Sequence, residues 1–504
     1  MRNYQITSIV LLMIVCAACE IALGQNNAST TRPGESSDSP VLEQLQAQIE
    51  QLSVAIQKLN QQTASLQATN TVLQHELDET RAHLRANSDP AEVAASNTEA
   101  EDHLGLVEQK VNEQYQTKVE SASRYRVRLS GLILLNMFAN AGVVDNIEDP
   151  TLTANAITNA PASRTFGGTV RQSQIGFQVY GPTLFGAQSS GSLKLDLAGD
   201  SDPLNGASVG IFRLRTAIGR LDWVKTSIVA GQDSLFFLPE TPTSFASLEA
   251  PPLANSGNLW AWLPQVRIEH RFSAPGDSEI AMQAGILDPI SGEQLDDANN
   301  RMADAGEQSD RPALAAHIAW SRPAFGRRLS IGTGGYWGEQ LWYRDNEVHS
   351  WLTSLDWQVP MSPWFVFSGS LHRGSAIGGL GGGLGRSVIT KLPPGASSID
   401  ALPVSPLDTI GGWAQTKFIL SPKYEVNAAF GEENPFGSEL NAALDAFSYL
   451  DVPLSRNWSA FTNVIYRPRS NLLLALEYRR IHSQEWQAEA GSANHINLSM
   501  GVKF

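Results

Sequence analysis

The feature that most constrains the fold is a two-residue alternation of apolar and polar side chains over residues 124–504. Clear examples are Ile175-x-Phe177-x-Val179, Phe212-x-Leu214-x-Thr216-x-Ile218 and Ile496-x-Leu498-x-Met500-x-Val502-x-Phe504. About sixteen such segments of roughly ten residues follow one another, and ten residues is the length a tilted strand needs to cross a bilayer. The pattern therefore predicts an all-β fold, a transmembrane antiparallel β-barrel of about sixteen strands.

The connections between these segments alternate between short and long. Pro182-Thr183 and Ala274-Pro275-Gly276-Asp277 are examples of tight turns, whereas residues 140–168 and 288–311 are long and polar. Outer-membrane barrels have short periplasmic turns and long external loops, while a soluble sandwich has no reason to collect its long loops at one end. The last segment ends on the aromatic residue Phe504, which is typical of a membrane-assembly signal read by the barrel-assembly machinery.

Composition excludes two other classes of protein. The chain is 42% hydrophobic, and no run beyond the N-terminus reaches the ~18 apolar residues of a membrane-spanning helix. Its formal net charge of -15 argues against a nucleic-acid partner, whose phosphates need a basic face. A barrel in which every second strand residue faces lipid fits this modest hydrophobic content.

The N-terminus has the features of a signal peptide over residues 1–24. Arg2 precedes the apolar run of residues 9–19, and the small residues Ala22 and Gly24 provide a cleavage site. An alternative is lipidation of Cys19, although Cys16 stands where a lipobox normally has leucine. Both cysteines belong to the export segment, so the rest of the chain has no disulfide.

A polar spacer, residues 25–40, leads into a heptad repeat over residues 41–86, which predicts an α-helical coiled coil about 65 Å long. Isoleucine at a, leucine at d and a buried asparagine favour a dimer, but the seam alone leaves two and three chains open. Residues 87–123 are predicted to form a linker with a short helix. The oligomerisation seam consists of Leu45, Ile49, Leu52, Ile56, Leu59, Leu66, Asn70, Leu73 and Leu77.

Basic residues on the polar face of the strands are expected to line the pore, because Arg or Lys at the lipid midplane would cost roughly 2–4 kcal/mol. In Arg-x-Arg pairs the side chains would lie ~7 Å apart along one wall, where guanidinium groups can bind carboxylates. The alternative is a structural network with acidic neighbours such as Asp196, Glu269 and Glu477. The candidate pore-lining, anion-binding residues are Arg126, Arg128, Lys194, Arg213, Arg215, Arg267, Arg271 and Arg479.

The segment from residue 233 to 258 is too apolar and proline-rich for a solvated loop. It could fold into the lumen as a constriction, with Asp233, Phe236, Phe237 and Pro239 as candidates, or it could pack in a subunit interface. The glycine run of residues 378–385 is expected to be a flexible external loop. Neither histidine spacing nor any nucleophile motif indicates a metal, a cofactor or an enzyme.

Four short motifs resemble the DcaP-type outer-membrane porin family: Val170-Arg171-Gln172-Ser173-Gln174-Ile175-Gly176-Phe177, Phe212-Arg213-Leu214-Arg215-Thr216-Ala217, Val229-Ala230-Gly231-Gln232-Asp233 and Pro264-Gln265-Val266-Arg267. The resemblance spans most of the mature chain. It implies a homotrimer of sixteen-stranded barrels in the outer membrane, with the N-terminal coiled coil in the periplasm. It also implies a basic constriction suited to dicarboxylates and other small anions.

Two functions are therefore expected. The first is a porin for passive diffusion of small hydrophilic solutes, with anions such as dicarboxylates drawn through an arginine-lined lumen. The second is a structural barrel whose coiled coil links the outer membrane to the cell wall. A barrel hydrolase has no supporting motif.

Overall fold

The computed structural model describes residues 118–119, 126–153, 163–199, 203–204, 207–208, 210–293, 301–342, 346–390, 404–437, 440, 454–486 and 490–504. All of them belong to the unit Ala100–Phe504. The predicted signal peptide, spacer and coiled coil lie outside the described residues.

Sixteen antiparallel strands form a closed barrel in the described part of the chain, which confirms the predicted fold class. The second strand consists of two segments, because residues 170–173 interrupt it. The strands are β1 (Arg126–Ala141), β2 (Arg164–Thr169 and Gln174–Leu184), β3 (Ala187–Asp196), β4 (Arg213–Asp222), β5 (Thr226–Ser234), β6 (Trp262–Ala274), β7 (Ser278–Leu287), β8 (Ala313–Ala324), β9 (Arg327–Trp342), β10 (Asn346–Ser362), β11 (Phe365–Ser375), β12 (Asp408–Ile419), β13 (Tyr424–Pro435), β14 (Leu454–Arg469), β15 (Leu472–Glu485) and β16 (Gly491–Lys503).

Each strand pairs with its neighbours in the sequence, and β1 closes the barrel by pairing with β16 from Leu132↔Lys503 to Ala141↔Asn494. The other side of β1 pairs with both segments of β2. Closure removes the free sheet edges that a membrane could not solvate. The short strand Lys118–Val119 pairs with Val127 and Arg128 of β1. Short strands outside the barrel sheet are Pro203–Leu204, Ala207–Ser208, Val388–Thr390 and Val404–Pro406.

One end of the barrel carries only short connections, and all of the long connections are at the other end, as the sequence predicts. Phe185-Gly186 and Phe325-Gly326 are two-residue turns in which both residues have positive φ, the conformation of type I′ hairpins. The predicted turn at Pro182-Thr183 is wrong by three residues, since both lie within β2. We call the two ends the short-turn end and the long-loop end.

The outer wall presents the alternating apolar side chains, such as Ile133, Ile268, Leu355 and Ile496, which are exposed. Aromatic residues form two bands on β8–β15, a distribution typical of the two membrane interfaces. Among the described residues, no helix has the length and apolar character needed to cross a membrane. Members of these bands are Trp320, Trp364, Phe418, Tyr424 and Tyr466 towards the short-turn end, and Trp337, Trp351, Phe430 and Trp458 towards the long-loop end.

The inner wall is polar and largely buried. Gln415, Asn463 and Glu477 on β12, β14 and β15 are each at most 2% exposed. Polar side chains facing an open water-filled pore would be exposed, so other parts of the chain must cover them. Other segments of the chain therefore fill part of the lumen.

Candidate functional site

Residues 235–261, which connect β5 to β6, enter the barrel and follow its inner wall; we call them the lumen loop. Near β10, the Phe237 carbonyl accepts a hydrogen bond from Ser354 Oγ at 3.1 Å. Further along, the Thr243 amide donates to Gln415 Oε1 at 2.6 Å, and Asn463 Nδ2 donates to the Thr243 carbonyl at 2.9 Å. These partners belong to β12 and β14, so the loop has already passed several strands.

The loop then continues past β15 and β2 to β4. Ser244 Oγ donates to Glu477 Oε2 at 2.5 Å. Gln172, in the break of β2, donates from Nε2 to the Ala246 carbonyl at 3.2 Å and accepts at Oε1 from the Leu248 amide at 2.8 Å. All these partners face inward, so the loop lies inside the barrel and not on its outer surface, where a subunit interface would be.

Apolar residues of the lumen loop form a buried cluster with the wall of β6–β10. Phe237 is fully buried, and its ring lies 5.7 Å from the Tyr336 ring in a stacked arrangement. Burying a phenylalanine contributes roughly 1.5–3 kcal/mol, so this cluster is a main anchor of the loop. The other members are Leu235, Phe236, Leu259, Ala261, Leu263, Leu287, Ala313, Ala315, Leu352, Ile377 and Leu380.

The glycine run also packs inside, contrary to the expected flexible external loop. The Leu380 carbonyl accepts a hydrogen bond from the Trp260 amide at 3.0 Å, and the Gly383 amide donates to Glu433 Oε1 at 2.9 Å. Leu380 and Gly383 are buried. Glycine permits this close packing of backbone on backbone, which a sequence pattern of exposed loops does not reveal.

Two adjacent cavities remain in the lumen, and Trp260 and Ala261 line both. The constriction cavity, of about 540 Å³, is enclosed mainly by the lumen loop and by wall residues Gln174, Lys194, Arg215 and Thr216. The outer cavity, of about 470 Å³, lies against residues of the first long loop and the glycine run, including Asp145, Asp149, Arg213, Glu249 and Gly378. Of the four constriction candidates, Asp233 and Pro239 line the constriction cavity, whereas Phe236 and Phe237 belong to the buried cluster.

The predicted pair Arg213 and Arg215 faces the lumen, but both guanidinium groups bind the same carboxylate. Arg213 Nη2 lies 2.7 Å and Arg215 Nη1 lies 2.9 Å from Asp196 Oδ2, and the carboxylate is fully buried. The two guanidinium carbons also lie 5.0 and 4.4 Å from the centre of the Trp262 ring. Because two cations share one anion, the group keeps a net charge of +1.

The same two arginines hold the lumen loop. Arg213 Nη2 donates to the Glu249 carbonyl at 2.6 Å, and Arg215 donates to the Leu248 carbonyl. A register shift in the β3–β4 pairing pairs Thr216 with Lys194 and Leu214 with Leu195. The predicted alternation Leu214-x-Thr216 is therefore wrong: Leu214 is on the outer face, whereas Thr216 lines the constriction cavity.

Two further candidates, Arg267 and Arg479, are buried in carboxylate networks. Arg267 is 8% exposed and lies 2.9 Å from both Asp233 Oδ2 and Glu269 Oε1. Arg479 is 2% exposed and lies 2.7 Å from Glu477 Oε1. These contacts correspond to the structural network that the sequence left as the alternative, and they leave no free donor face for a solute.

The remaining candidates, Arg126, Arg128, Lys194 and Arg271, have exposed side chains. None of them makes a salt bridge with another residue that the structure describes. By strand register all four are on the inward face, Arg126, Arg128 and Arg271 towards the short-turn end. Lys194 alone among them lines the constriction cavity.

Two carboxyl groups in the lumen were not predicted from the sequence. Asp149, in the first long loop, accepts hydrogen bonds from Ser247 Oγ at 2.6 Å and the Ala250 amide at 3.1 Å, and burial raises its pKa to about 7. Glu240 lines the constriction cavity, where burial, and secondarily the charge of Asp356, raises its pKa to about 7. Glu240 carries the sole charge in residues 234–248, which is a signal that could have identified it.

A metal centre finds no support in the described ranges, which contain no group of three His, Cys, Asp or Glu side chains placed to hold an ion. The site is therefore a narrowed, charged passage with a loop of the chain itself as its inner lining. The fold that encloses it is a closed barrel of sixteen antiparallel strands.

The chain matches no protein-family model and no curated protein sequence. Among solved structures, the fold is similar to the outer membrane channel DcaP of Acinetobacter baumannii, with a TM-score of 0.58 and 16% identity over 77% of this chain and 100% of that chain. This similarity confirms, for the fold, the resemblance seen in the sequence. The anion-selective porin from Comamonas acidovorans also matches, with a TM-score of 0.46, 10% identity and coverage of 75% of this chain and 100% of that chain.

Proposed function

We propose that this chain is an outer-membrane porin for passive diffusion of small hydrophilic solutes, with a preference for anions such as dicarboxylates. The observation that carries the proposal is the constriction cavity, which has a basic wall on β3 and β4. Lys194 and Arg215 line this cavity, and Arg213 lines the adjacent outer cavity. Because Arg213 and Arg215 share Asp196, this stretch of wall has three positive charges against one negative charge, a net charge of +2.

This wall can attract an anion without trapping it. Lys194 offers a flexible ammonium group, while Arg213 and Arg215 already share Asp196 and keep part of their donor capacity occupied. Conduction requires binding that is favourable enough for entry and weak enough for exit. Partly compensated arginines beside one lysine that has no salt bridge with the described residues meet that requirement better than a ladder of free arginines.

The test is single-channel recording of the purified full-length protein in planar bilayers. Under a KCl gradient we expect the sign of the reversal potential to show that chloride is more permeant than potassium. The magnitude of the reversal potential should decrease at high salt, because salt screens the charges of the wall. Small dicarboxylates should reduce the chloride current more than monocarboxylates of similar size. A protein that inserts but never conducts would refute the porin, and a cation preference would refute the solute class.

We further propose a homotrimer, as the DcaP-type resemblance implies. The outer wall supports it, because the aromatic bands cover β8–β15, whereas several outward register positions of β3–β5 carry small residues. Ser189, Gly191, Gly219 and Ala230 are such positions. Small outward residues permit close contact between barrels, whereas the aromatic bands suit lipid interfaces.

The second candidate function is an envelope tether, supported by the heptad seam of residues 41–86. Deleting residues 42–84 separates the possibilities. Detachment of the outer membrane with unchanged conductance would support tethering by a periplasmic coiled coil, whereas loss of trimers would show that the coiled coil serves assembly.

A further inference from the structure

Four charged residues line the constriction cavity: Lys194, Arg215, Asp233 and Glu240. Arg215 is paired with Asp196 at 2.9 Å, and Asp233 is paired with Arg267 at 2.9 Å. Lys194 and Glu240 have no salt bridge with any residue that the structure describes. The charge that a solute meets in this cavity is therefore set mainly by these two side chains.

Glu240 lies towards the wall opposite Lys194. The charged groups that act on it come from four neighbouring strands: His317 on β8, Arg328 on β9, Asp356 on β10 and Lys417 on β12. Lys194 is on β3, which is seven strands from β10 in a barrel of sixteen. The two unpaired charges thus face each other across the passage.

None of the four surrounding groups neutralises Glu240 directly. His317 Nε2 is bound to Asp356 Oδ1 at 2.7 Å. Arg328 lies 3.6 Å from Glu279, and Lys417 lies 3.6 Å from Glu425. Asp356 is an additional negative neighbour, and its charge opposes ionisation of Glu240, whereas the three basic groups favour ionisation without pairing with it.

We propose that Glu240 determines the charge selectivity of the channel, because its carboxylate opposes Lys194 and restrains the passage of anions. This inference rests on the proposed porin function. In a cavity of this size both charges lie within about a Debye length of any solute, so neither is fully screened at physiological salt. Neutralising Glu240, by substitution or by a proton, leaves Lys194 uncompensated and increases anion passage.

The pH dependence follows from the same geometry. Burial and Asp356 raise the pKa of Glu240 to about 7. Glu240 is therefore mostly neutral at pH 5.5 and mostly ionised at pH 8.5. Anion preference is expected to rise as the pH falls through this range. His317, which is bound to Asp356, shares this neighbourhood, so substitution of Glu240 is needed to assign the pH response to this carboxyl group.

The experiment measures chloride-to-potassium permeability ratios from reversal potentials of wild-type protein, Glu240→Gln and Lys194→Met at pH 5.5 and 8.5. Glu240→Gln should raise the ratio at pH 8.5 by roughly two- to fivefold, the effect of one unit charge partly screened by water and salt. It should also lose most of the wild-type pH response. Lys194→Met should lower the ratio.

Glu347→Gln is the control, because Glu347 is exposed at an outward register position of β10 and lines neither cavity. A ratio that is unchanged in Glu240→Gln at both pH values, in channels of wild-type conductance, would overturn the proposal. So would an equal shift in the Glu347→Gln control. Absence of conductance in the wild-type protein would instead refute the porin function itself, and the two failures are thereby distinguished.

Discussion

Gly131 and Phe504 exchange two backbone hydrogen bonds across the seam that closes the barrel. The Gly131 amide donates to the Phe504 carbonyl at 2.9 Å, and the Phe504 amide donates to the Gly131 carbonyl at 3.1 Å. The C-terminal residue thus extends the pairing of β16 with β1. These backbone bonds give Phe504 a structural role in closure, whereas its expected role as an assembly signal stays a prediction.

The aromatic ring of Phe504 occupies the space above Gly131, where a Cβ atom would overlap ring atoms Cζ and Cε1. We expect Gly131→Val to weaken closure by about 1–3 kcal/mol, the usual cost of overpacking. The measurement is the fraction of folded barrel, read from heat-modifiable migration in SDS gels. Gly168→Val is the control, since a Cβ there meets only ordinary contacts at 3.5 Å or more. Equal folding of both variants would contradict this role for the Phe504 ring.

Gln172 is expected to hold the lumen loop, because its amide group makes both hydrogen bonds to the loop backbone. Gln172→Ala removes both bonds and leaves the Ala246 carbonyl and Leu248 amide unpaired, which costs roughly 1–3 kcal/mol. We predict larger and more frequent conductance fluctuations in single-channel records. Gln308→Ala is the control, because Gln308 donates to the Ala303 carbonyl in an exposed loop. Quiet, unaltered channels in Gln172→Ala would show that the other anchors suffice.

The strands could be predicted because the alternation that identifies each strand lies within its own residues. Alternation assigns Lys194 to the inner face whatever lies beyond it, and the structure places it there. The pairing of charges could not be predicted in this way. The carbonyl groups that bind Arg213 and Arg215 come from Glu249 and Leu248, 36 and 33 residues away, on a loop whose path no local pattern specifies.

The break in β2 shows the same limit. Residues 170–173 leave the strand. The side chains of Arg171 and Gln172, which are adjacent in the sequence, are both buried. A strict two-residue period would place these two side chains on opposite faces of the wall. Likewise, the apolar character of the segment predicts Phe236 and Phe237 at the constriction. Apolar residues are equally suited to a buried cluster, where the structure places both rings. Tertiary packing, which the sequence pattern does not specify, determines which of these positions they occupy.

Lys194 is predicted to contribute to anion entry without contributing to folding. It is exposed and makes no salt bridge with the described residues, so Lys194→Met should leave the unfolding midpoint within about 0.5 kcal/mol of wild type. Arg213→Met should destabilise the protein by more, because it breaks the bidentate contact with the buried Asp196 and a bond to the lumen loop. Guanidinium unfolding in detergent, followed by tryptophan fluorescence, compares them. Equal destabilisation would remove the distinction between a free and a structural cation.

Asp149 should make the docking of the first long loop depend on pH. Its pKa is raised by burial from 3.8 to about 7 in the folded protein, so the folded state holds the proton more tightly than the unfolded state. Stability from this group is therefore greatest at acid pH and declines as the pH rises from about 4 to 7. Asp149→Asn keeps an acceptor for Ser247 and Ala250 but does not ionise. Its unfolding midpoint should fall less over that range than the wild-type midpoint, and parallel pH profiles would contradict the assignment.

The outer wall of β3–β5 gives the last prediction, which concerns assembly. Gly219 is at an outward register position opposite Ala230, and a side chain there would meet no close atom of its own chain, the nearest being the Ala230 carbonyl oxygen at 3.9 Å. Gly219→Leu is therefore compatible with the barrel and with lipid, but it would hold two barrels apart if this wall is the trimer contact. We expect native mass spectrometry to show monomers that still conduct. The control is Thr333→Leu, on the outward face of β9 in the half with aromatic bands, and this variant should remain trimeric. An intact trimer of Gly219→Leu would show that the trimer contact is on another part of the wall.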